Sequence, residues 1–519
     1  MKMKNIFRNI FIGGAAAAML CSCNLDIFPK GSIAYDESKP LFLNQNDVEA
    51  FQNGVLSSYR SLQYGVFTQT SEVMCDYFNA SLDFGNNYGS EHRADDSFDA
   101  SNYDTEAMWQ SHYSAIKNYN IVIANAETVT DEALLPSVNV LKGIALFCRA
   151  SSYLTLARHY GDAYDPATAE TDLCVPLVLV YDQLEKPFRA TVQEVYDQIY
   201  LDLEEAETLL SEAADEGIMV NNTNLAGAVR AEVPTVDAVH ALMARYYLDT
   251  QDYQNAYDAA LSVVESAAGY ALANSGATMT EEYINDKGTE PIIQLYATIT
   301  EGAVGNTLYA PVRKSDQVAG GKYFGSYFLP CNTLVNAYEA NDLRFTTWFA
   351  DDLYPVGAGA SFLSDIYVFI KYYDNPDLRS GQDETGAKAA KPLMLSEMYL
   401  IAAEAAAMDG NEGLAKQVLN SLQTARGAAF TDGSMESVKM EWYKETVGEG
   451  LRFSCVKRWG DSLEARPYQP SAAKAVTTGD AYENRTLSAD SHVWNWPVPT
   501  YEMKLNKNLK QNPGYESVQ

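Results

Sequence analysis

KPLMLSEMYLIAAEAAAMDGNEGLAKQVLNSLQTARG, residues 391–427, decides the fold. Pro392 suits the first turn of a helix, and the run from there to Met408 is apolar on nearly every face. Gly410 ends that helix, and the side-chain oxygen of Asn411 caps the next. The second helix places Leu414, Ala415, Val418, Leu419, Leu422 and Ala425 three and four apart before Gly427 stops it. Small residues at 402, 403 and 405–407 let the two helices approach closely. A helix that is apolar all round must be covered by neighbours, so this hairpin is the core of a larger helical body.

Glu397 and Glu404 interrupt the apolar helix. Seven residues apart, they share a face and lie about 10.5 Å apart along the axis. Inverting glycosidases hold their two carboxyls about 6.5 to 9.5 Å apart, which is the catalytic alternative. The structural reading is preferred: each carboxylate accepts hydrogen bonds from a buried arginine, with Arg426, Arg452 and Arg458 available.

Helical periodicity recurs at 47–63, 108–129, 137–160, 191–210, 235–249 and 253–267. The pair VHALMARYYLDTQDYQNAYDAALSVVES (239–266) repeats the plan of 391–427: an Ala-rich helix, a polar turn with Asp252, then an amphipathic helix. Such pairs look like tetratricopeptide repeats without the strict consensus spacing. The expected fold is therefore mainly α, a tetratricopeptide-like helical-repeat scaffold. Long stretches without helical periodicity separate the pairs at 64–107, 268–390 and 461–500, and loops of that length usually carry function.

The chain opens with Lys2, Lys4 and Arg8, followed by an apolar run, 10–20, too short to span a membrane. It ends in Leu20-Cys21-Ser22-Cys23, which resembles the lipobox of bacterial lipoproteins. That resemblance implies a signal peptide over 1–22, cleavage before Cys23 and acylation of Cys23, enough lipid for stable anchoring. Residues 23–40 then form a lipidated leader.

Of 519 residues, 37 are Lys or Arg and 69 are Asp or Glu, a net charge of −32 that becomes −35 without residues 1–22. That balance excludes nucleic acid or an anionic membrane surface as an electrostatic partner. A composition 47% hydrophobic and 20% charged is that of a globular chain. Cys75, Cys148, Cys174, Cys331 and Cys455 are odd in number and widely spaced, so no disulfide is expected. The five histidines (92, 112, 159, 240 and 492) form no H-x-x-x-H pair, and neither DDSFDASNYD (95–104) nor DNPDLRSGQDE (374–384) has EF-hand spacing. Neither a metal site nor a cofactor is expected.

Several segments carry a family resemblance. Cys23 followed by Leu25-Asp26 and Pro29 looks like the start of SusD/RagB outer-membrane lipoproteins. GIALFCRASSYLTLARHYGD (143–162), KPFRATVQEVYDQIYLDLEEAETLL (186–210) and KPLMLSEMYLIAAEAA resemble that family's helices, with Lys391 in place of a more usual Arg. EGLRFSCVKRWG (449–460) and WPVPTYEMKLNKNLKQNPGY (496–515) are similar to its later segments, although TVGEGLRF lacks the usual Glu-Phe before Glu449. The resemblance spans the mature chain in order. It implies one SusD-like α-helical domain over 41–519, with an N-terminal part at about 41–230 and a C-terminal part at about 231–519. It further implies a protein without enzymatic activity, lipid-anchored to the cell outer membrane and surface-exposed. Its implied role is to bind oligosaccharide and pass it to a SusC-like TonB-dependent transporter.

Sugar binding needs flat aromatic faces and hydrogen-bonding groups for hydroxyls. DYFNASLDFGNNYGSEHR (76–93) supplies Tyr77, Phe84 and Tyr88 with Asp76, Asn79, Asp83, Asn86, Asn87 and Arg93. GGKYFGSYF (320–328) supplies Tyr323, Phe324 and Tyr327 in a glycine-rich setting. Either these aromatics line a ligand surface or they pack their loops onto the scaffold. Trp109, Tyr113, Tyr119, Trp459, Trp494 and Trp496 are read as scaffold. A peptide or other nutrient on the same architecture is the alternative, favoured if Asn and Arg dominate the site. A glycoside hydrolase is the remote one.

Overall fold

The computed structural model describes residues 40–182, 184–218, 232–295, 297–299, 312–314, 323–356, 361–379 and 386–516. The expected signal segment, Cys23 and most of the leader lie outside the described residues.

Helices α1 (Gln45–Ser61) and α2 (Val66–Met74) precede strand β1 (Phe78–Ala80) and the short α3 (Gly89–Arg93). Five longer helices follow: α4 (Tyr103–Ala126), α5 (Leu135–Tyr160), α6 (Val192–Asp215), α7 (Val236–Asp249) and α8 (Tyr253–Val264). Next come α9 (Gly276–Tyr283) and strands β2 (Pro291–Ile293), β3 (Val312–Lys314), β4 (Tyr323–Gly325) and β5 (Phe328–Pro330). Short helices α10 (Asn332–Val335) and α11 (Leu343–Trp348) lead into β6 (Phe349–Val356), β7 (Ser361–Phe369) and β8 (Leu393–Met394). The chain closes with α12 (Leu395–Met408), α13 (Glu412–Arg426), α14 (Met435–Glu445), α15 (Arg452–Trp459) and α16 (Thr500–Leu505).

Local chemistry sets the helix ends. Asn44 with Asp47 caps α1 and Thr191 with Glu194 caps α6, each a reciprocal capping box. Gly427 ends α13 in the left-handed conformation, φ 65°, that glycine adopts without steric cost. From α4 to α8 each helix packs on the next, and α12 returns to lie on α8 and carry α13. The scaffold is therefore a mainly α, tetratricopeptide-like array, and residues 265–394 leave it and come back. One apolar cluster runs through it from Phe42 to Leu509.

Two expectations change. The buried hairpin helix begins at Leu395, not at Pro392. Leu393 and Met394 instead pair with Ile293 and Pro291, and the Leu395 amide donates to the Glu290 carbonyl, so strand pairing holds the segment extended. The stretches 64–107 and 268–390 are not irregular throughout. They contain α2, α9 and a four-stranded sheet of order β3-β4-β6-β7, in which β4 runs parallel to β6 and the other pairs are antiparallel.

Buried ion pairs tie the helices together. Glu404 accepts from Arg458 and from the Trp459 indole, whereas Glu397 accepts two hydrogen bonds from Arg245, a donor not among those expected. Arg426 is committed elsewhere, to Glu290 and Glu445, and Arg452 to Asp76. Asp249 on α7 joins Arg158 of α5 to Arg458 of α15. Arg344, fully buried, is ringed by Asp342, Glu441 and Glu445. Those carboxylates hold the Arg344 guanidinium protonated, and Arg426 together with Arg344 holds the Glu445 carboxyl down at about 2 despite burial. The five cysteines described are buried free thiols.

Candidate functional site

The two stretches proposed from sequence as ligand-bearing meet in the structure. β1 and β5 pair antiparallel, with Phe78 opposite Pro330, Asn79 opposite Leu329 and Ala80 opposite Phe328. Beyond the ladder, the Ser81 amide donates to the Tyr327 carbonyl at 2.8 Å and the Ser81 hydroxyl to the Ser326 carbonyl at 2.9 Å. The Leu82 amide donates to the Ala475 carbonyl and the Thr477 amide to the Ala80 carbonyl, which brings in a third segment from the C-terminal part. The Tyr354 hydroxyl also donates to the Ser326 carbonyl, fastening β6 to the same place. The result is a rim assembled from residues 81–88, 326–328 and 475–477.

Four of the proposed contacts serve the scaffold, three because they are buried and Asp76 because it is spent on an ion pair. Tyr77 is fully buried, and its hydroxyl donates to the Tyr443 carbonyl at 3.0 Å. Asn79 is buried and donates to the Arg466 carbonyl at 2.6 Å. Phe84 packs edge-on against Phe328 and Tyr482 beneath the loop. Asp76 accepts from Arg452 through both carboxylate oxygens, at 3.0 and 2.9 Å, and its charge is spent there. β1 and β5, which carry part of each stretch, are short strands buried along their length.

The remaining residues reach the surface. Asp83, Asn86 and Asn87 are exposed, Tyr88 is half-buried, and Tyr327 is 40% exposed. Arg93 donates to Asp95 and Ser97 and, at 3.0 Å, to the Asn86 side-chain oxygen, so it braces the loop. Tyr323 lies on β4, where its backbone pairs with Lys314 and Leu353; its side chain and that of Phe324 lie outside the described residues.

The loop is conformationally strained. Asn86, Tyr88 and Ala94 all adopt left-handed backbone, φ 60°, 50° and 50°, which non-glycine residues visit at a cost. A Cβ at position 89 would meet the Asn86 side chain at 2.1 Å, so Gly89 leaves Asn86 free to accept from Arg93. Burial, with Asp104 and Glu91 nearby, pushes the Tyr88 phenol up and keeps it protonated. Burial and the neighbouring Glu91 likewise push the Asp104 carboxyl up to about 7. The exposed groups are thus amides, a carboxylate and phenols, which exchange hydrogen bonds with hydroxyls or backbone amides.

The acidic loop 95–104 turns carboxylates on itself: Asp95 accepts from the Ser97 amide and Asp99 from the Ser101 amide, while residues 380–384 of the second acidic loop lie outside the described residues. Among the described residues no group of three His, Cys, Asp or Glu is placed to hold a metal ion. Trp109, Tyr119, Trp494 and Trp496 are buried as scaffold, as expected. Sequence reasoning took 461–500 as one irregular stretch without singling out residues 475–477, because AVT within SAAKAVTTGD (471–480) has no period to mark it.

Comparison with known proteins places the whole arrangement. Residues 35–248 match a SusD-like family model described as starch-binding, associating with the outer membrane, and residues 363–515 match the SusD family model. SusD-like protein P2 of Formosa agariphila is 24% identical over 448 residues, covering 79% of this chain and 80% of that one. A SusD superfamily crystal structure from Bacteroides thetaiotaomicron superposes with a TM-score of 0.70 at 22% identity, covering 90% of this chain and 99% of the other. A surface glycan-binding protein A from Bacteroides fluxus gives 0.66 at 20% identity, covering 91% and 100%. A laminarin-binding SusD-like protein gives 0.67 at 19% identity, with the same coverages. The helix array, the returning α12 and the two model matches agree: the chain belongs to the SusD/RagB family.

Proposed function

We propose that this protein is a non-catalytic, lipid-anchored, surface-exposed glycan-binding protein of the outer membrane. It captures oligosaccharide and delivers it to a SusC-like TonB-dependent transporter. The observation that carries the binding site is the rim, where β1–β5 pairing brings two aromatic- and glycine-bearing stretches together although they lie far apart in sequence. Tyr327 and Tyr88 would meet the sugar, and Asp83 with the amides of Asn86 and Asn87 would bond its hydroxyls. Arg93 holds Asn86 for that purpose. Acylated Cys23 would tether the chain through its leader to the outer leaflet, and the helical array would dock on the barrel with the rim over its mouth. Family membership supports this reading, and so do the glycan-binding names of the structural neighbours. Both carboxylates of the hydrolase alternative, Glu397 and Glu404, are held by arginines.

A peptide ligand is the second reading. The burial of Tyr77 and Phe84 favours it, since the exposed rim is richer in Asn and Asp than in aromatic faces. Calorimetry of residues 24–519 against plant, host and microbial glycans and one peptide digest separates the two. Heat from one glycan class, lost in Tyr327→Ala and Tyr88→Ala, is the expected result; heat from peptides alone would replace it. For the partner, the native lipoprotein should co-purify with a barrel in mild detergent, and its repeated isolation alone from membranes containing that barrel would count against delivery.

A further inference from the structure

Exposed apolar side chains gather in a strip that begins at the rim. The Asn102 side chain donates to Glu91 at 2.6 Å, which sets the start of α4 beside the loop that carries Tyr88. Tyr103 follows at once and is more than two-thirds exposed among the described residues. The Thr500 amide donates to the Ala100 carbonyl at 2.8 Å, so α16 comes next, with Tyr501 and Leu505 half exposed. The Asn506 side chain donates to the Pro187 carbonyl at 2.8 Å, and that of Asn508 to the Lys186 carbonyl at 2.6 Å. Those bonds bring up the segment 176–188, on which Val180 and Phe188 are each more than two-thirds exposed.

The segment 176–188 is held from beneath by its main chain. The Pro176 carbonyl accepts from Tyr113 and the Val178 carbonyl from Asn120 and Tyr153, while the Val178 amide donates to the Tyr153 hydroxyl. Scaffold side chains thus satisfy the backbone and leave Val180 and Phe188 turned to solvent. A segment that served only to cover its helices would turn such side chains inward. Single exposed apolar residues are ordinary, but a contiguous strip on a rigid support marks a contact surface.

The chemistry of the strip narrows its partner. Aliphatic and phenyl faces with few hydrogen-bonding groups do not suit the hydroxyls of a sugar. Along residues 185–188 and 501–510, four exposed lysines (186, 504, 507 and 510) stand against Glu185 and Glu502, a local positive surplus on a chain of net charge −32. Two copies meeting through this face would set lysine against lysine, which disfavours a second copy. A partner that covers the strip also reaches the rim it adjoins. We propose, resting on the delivery reading, that the strip from Tyr103 to Val180 seats the transporter, against extracellular barrel loops that are apolar at the centre and rich in Asp and Glu at the edge.

The test titrates the barrel purified from the same membranes onto the full lipoprotein in mild detergent. Phe188→Ser combined with Leu505→Ser should weaken binding on the order of thirtyfold, as loss of central interface anchors does. Lys504→Glu combined with Lys507→Glu should weaken it as well, and added salt should weaken the native complex. Phe430→Ser, at an exposed aromatic outside the strip, should bind as the native protein does. Matching melting curves keep a folding defect from imitating these losses. Native protein that binds no barrel overturns the delivery reading and the strip with it. Barrel bound equally by the native protein and both strip variants overturns the strip alone, whether the apolar face then meets lipid, the leader or a second copy.

Discussion

The backbone amide of Ser81 donates to the carbonyl of Tyr327, 2.8 Å away across a gap of more than two hundred residues. An exposed phenol is thereby fixed to the segment that carries Asp83 and Asn86. Tyr327→Ala should weaken ligand binding about five- to thirtyfold, an aromatic face being worth on the order of 1–2 kcal/mol. Tyr77→Phe should leave affinity unchanged and lower stability by about 1 kcal/mol, because it removes only the hydrogen bond to Tyr443. Calorimetry and thermal melts of both variants check the pair; affinity loss in Tyr77→Phe would return Tyr77 to the site.

Glu404 stands against Arg458 and the Trp459 indole. Glu404→Ala leaves a buried guanidinium with part of its charge unmet and should cost about 3–5 kcal/mol. A hydrolytic role would show instead as product formation from oligosaccharide by the native protein, abolished in Glu404→Gln. Chromatography of oligosaccharide incubated with each protein distinguishes these outcomes.

Arg344→Met tests the fully buried network around α11 and α14. It strands Asp342, Glu441 and Glu445 together, so three carboxylates lose their shared counter-ion. Loss of soluble protein, or a fall in Tm corresponding to about 4 kcal/mol, is expected. A neutral result would mean that Lys444, 3.4 Å from Glu441, takes over the charge.

Lys388 gives the fold a pH signature. Lys391 and Lys371 oppose its charge, while Glu449 and Asp286 favour it, and burial decides the balance: the folded pKa is about 7 against 10.5 unfolded. Between those values the unfolded chain binds the extra proton, so this residue makes stability rise with pH from about 7 to 10.5. Lys388→Met should therefore stabilise at pH 6 by on the order of 2 kcal/mol, a gain that fades toward pH 10.5. Tm of both proteins across that range, in chloride alone, provides the measurement; a constant difference would contradict it.

Legibility in the sequence followed chemistry. The hairpin of α12 and α13 was readable because apolar spacing, Gly410, Asn411 and Gly427 all agree, and α4 to α8 were readable for the same reason. Helix α14 was not, because Glu441, Lys444 and Glu445 imitate a solvated face while being buried against arginines that lie distant in sequence. In the candidate site, DYFNAS mixed aromatic and amide residues as a ligand surface does, yet β1 buries on both faces and claims Tyr77 and Asn79. What separates them from Tyr327 is a long-range pairing partner, which no local pattern encodes. Lys388 was equally invisible, since a lysine whose charge is opposed by burial is defined by what surrounds it in space.

The chain of charges from Arg158 through Asp249 to Arg458 and Glu404 bears on the order in which the polypeptide can close as it is synthesised. Arg158 and Asp249 are both made early and can neutralise each other at once. Glu404 follows with its helix, and its counter-charge, Arg458, comes only near the end. Until then α12 cannot close over α8 without burying a naked carboxylate. Final compaction of α12 on α8 thus waits for the C-terminal segment, and a chain broken off before Arg458 lacks the counter-charge that closes the array.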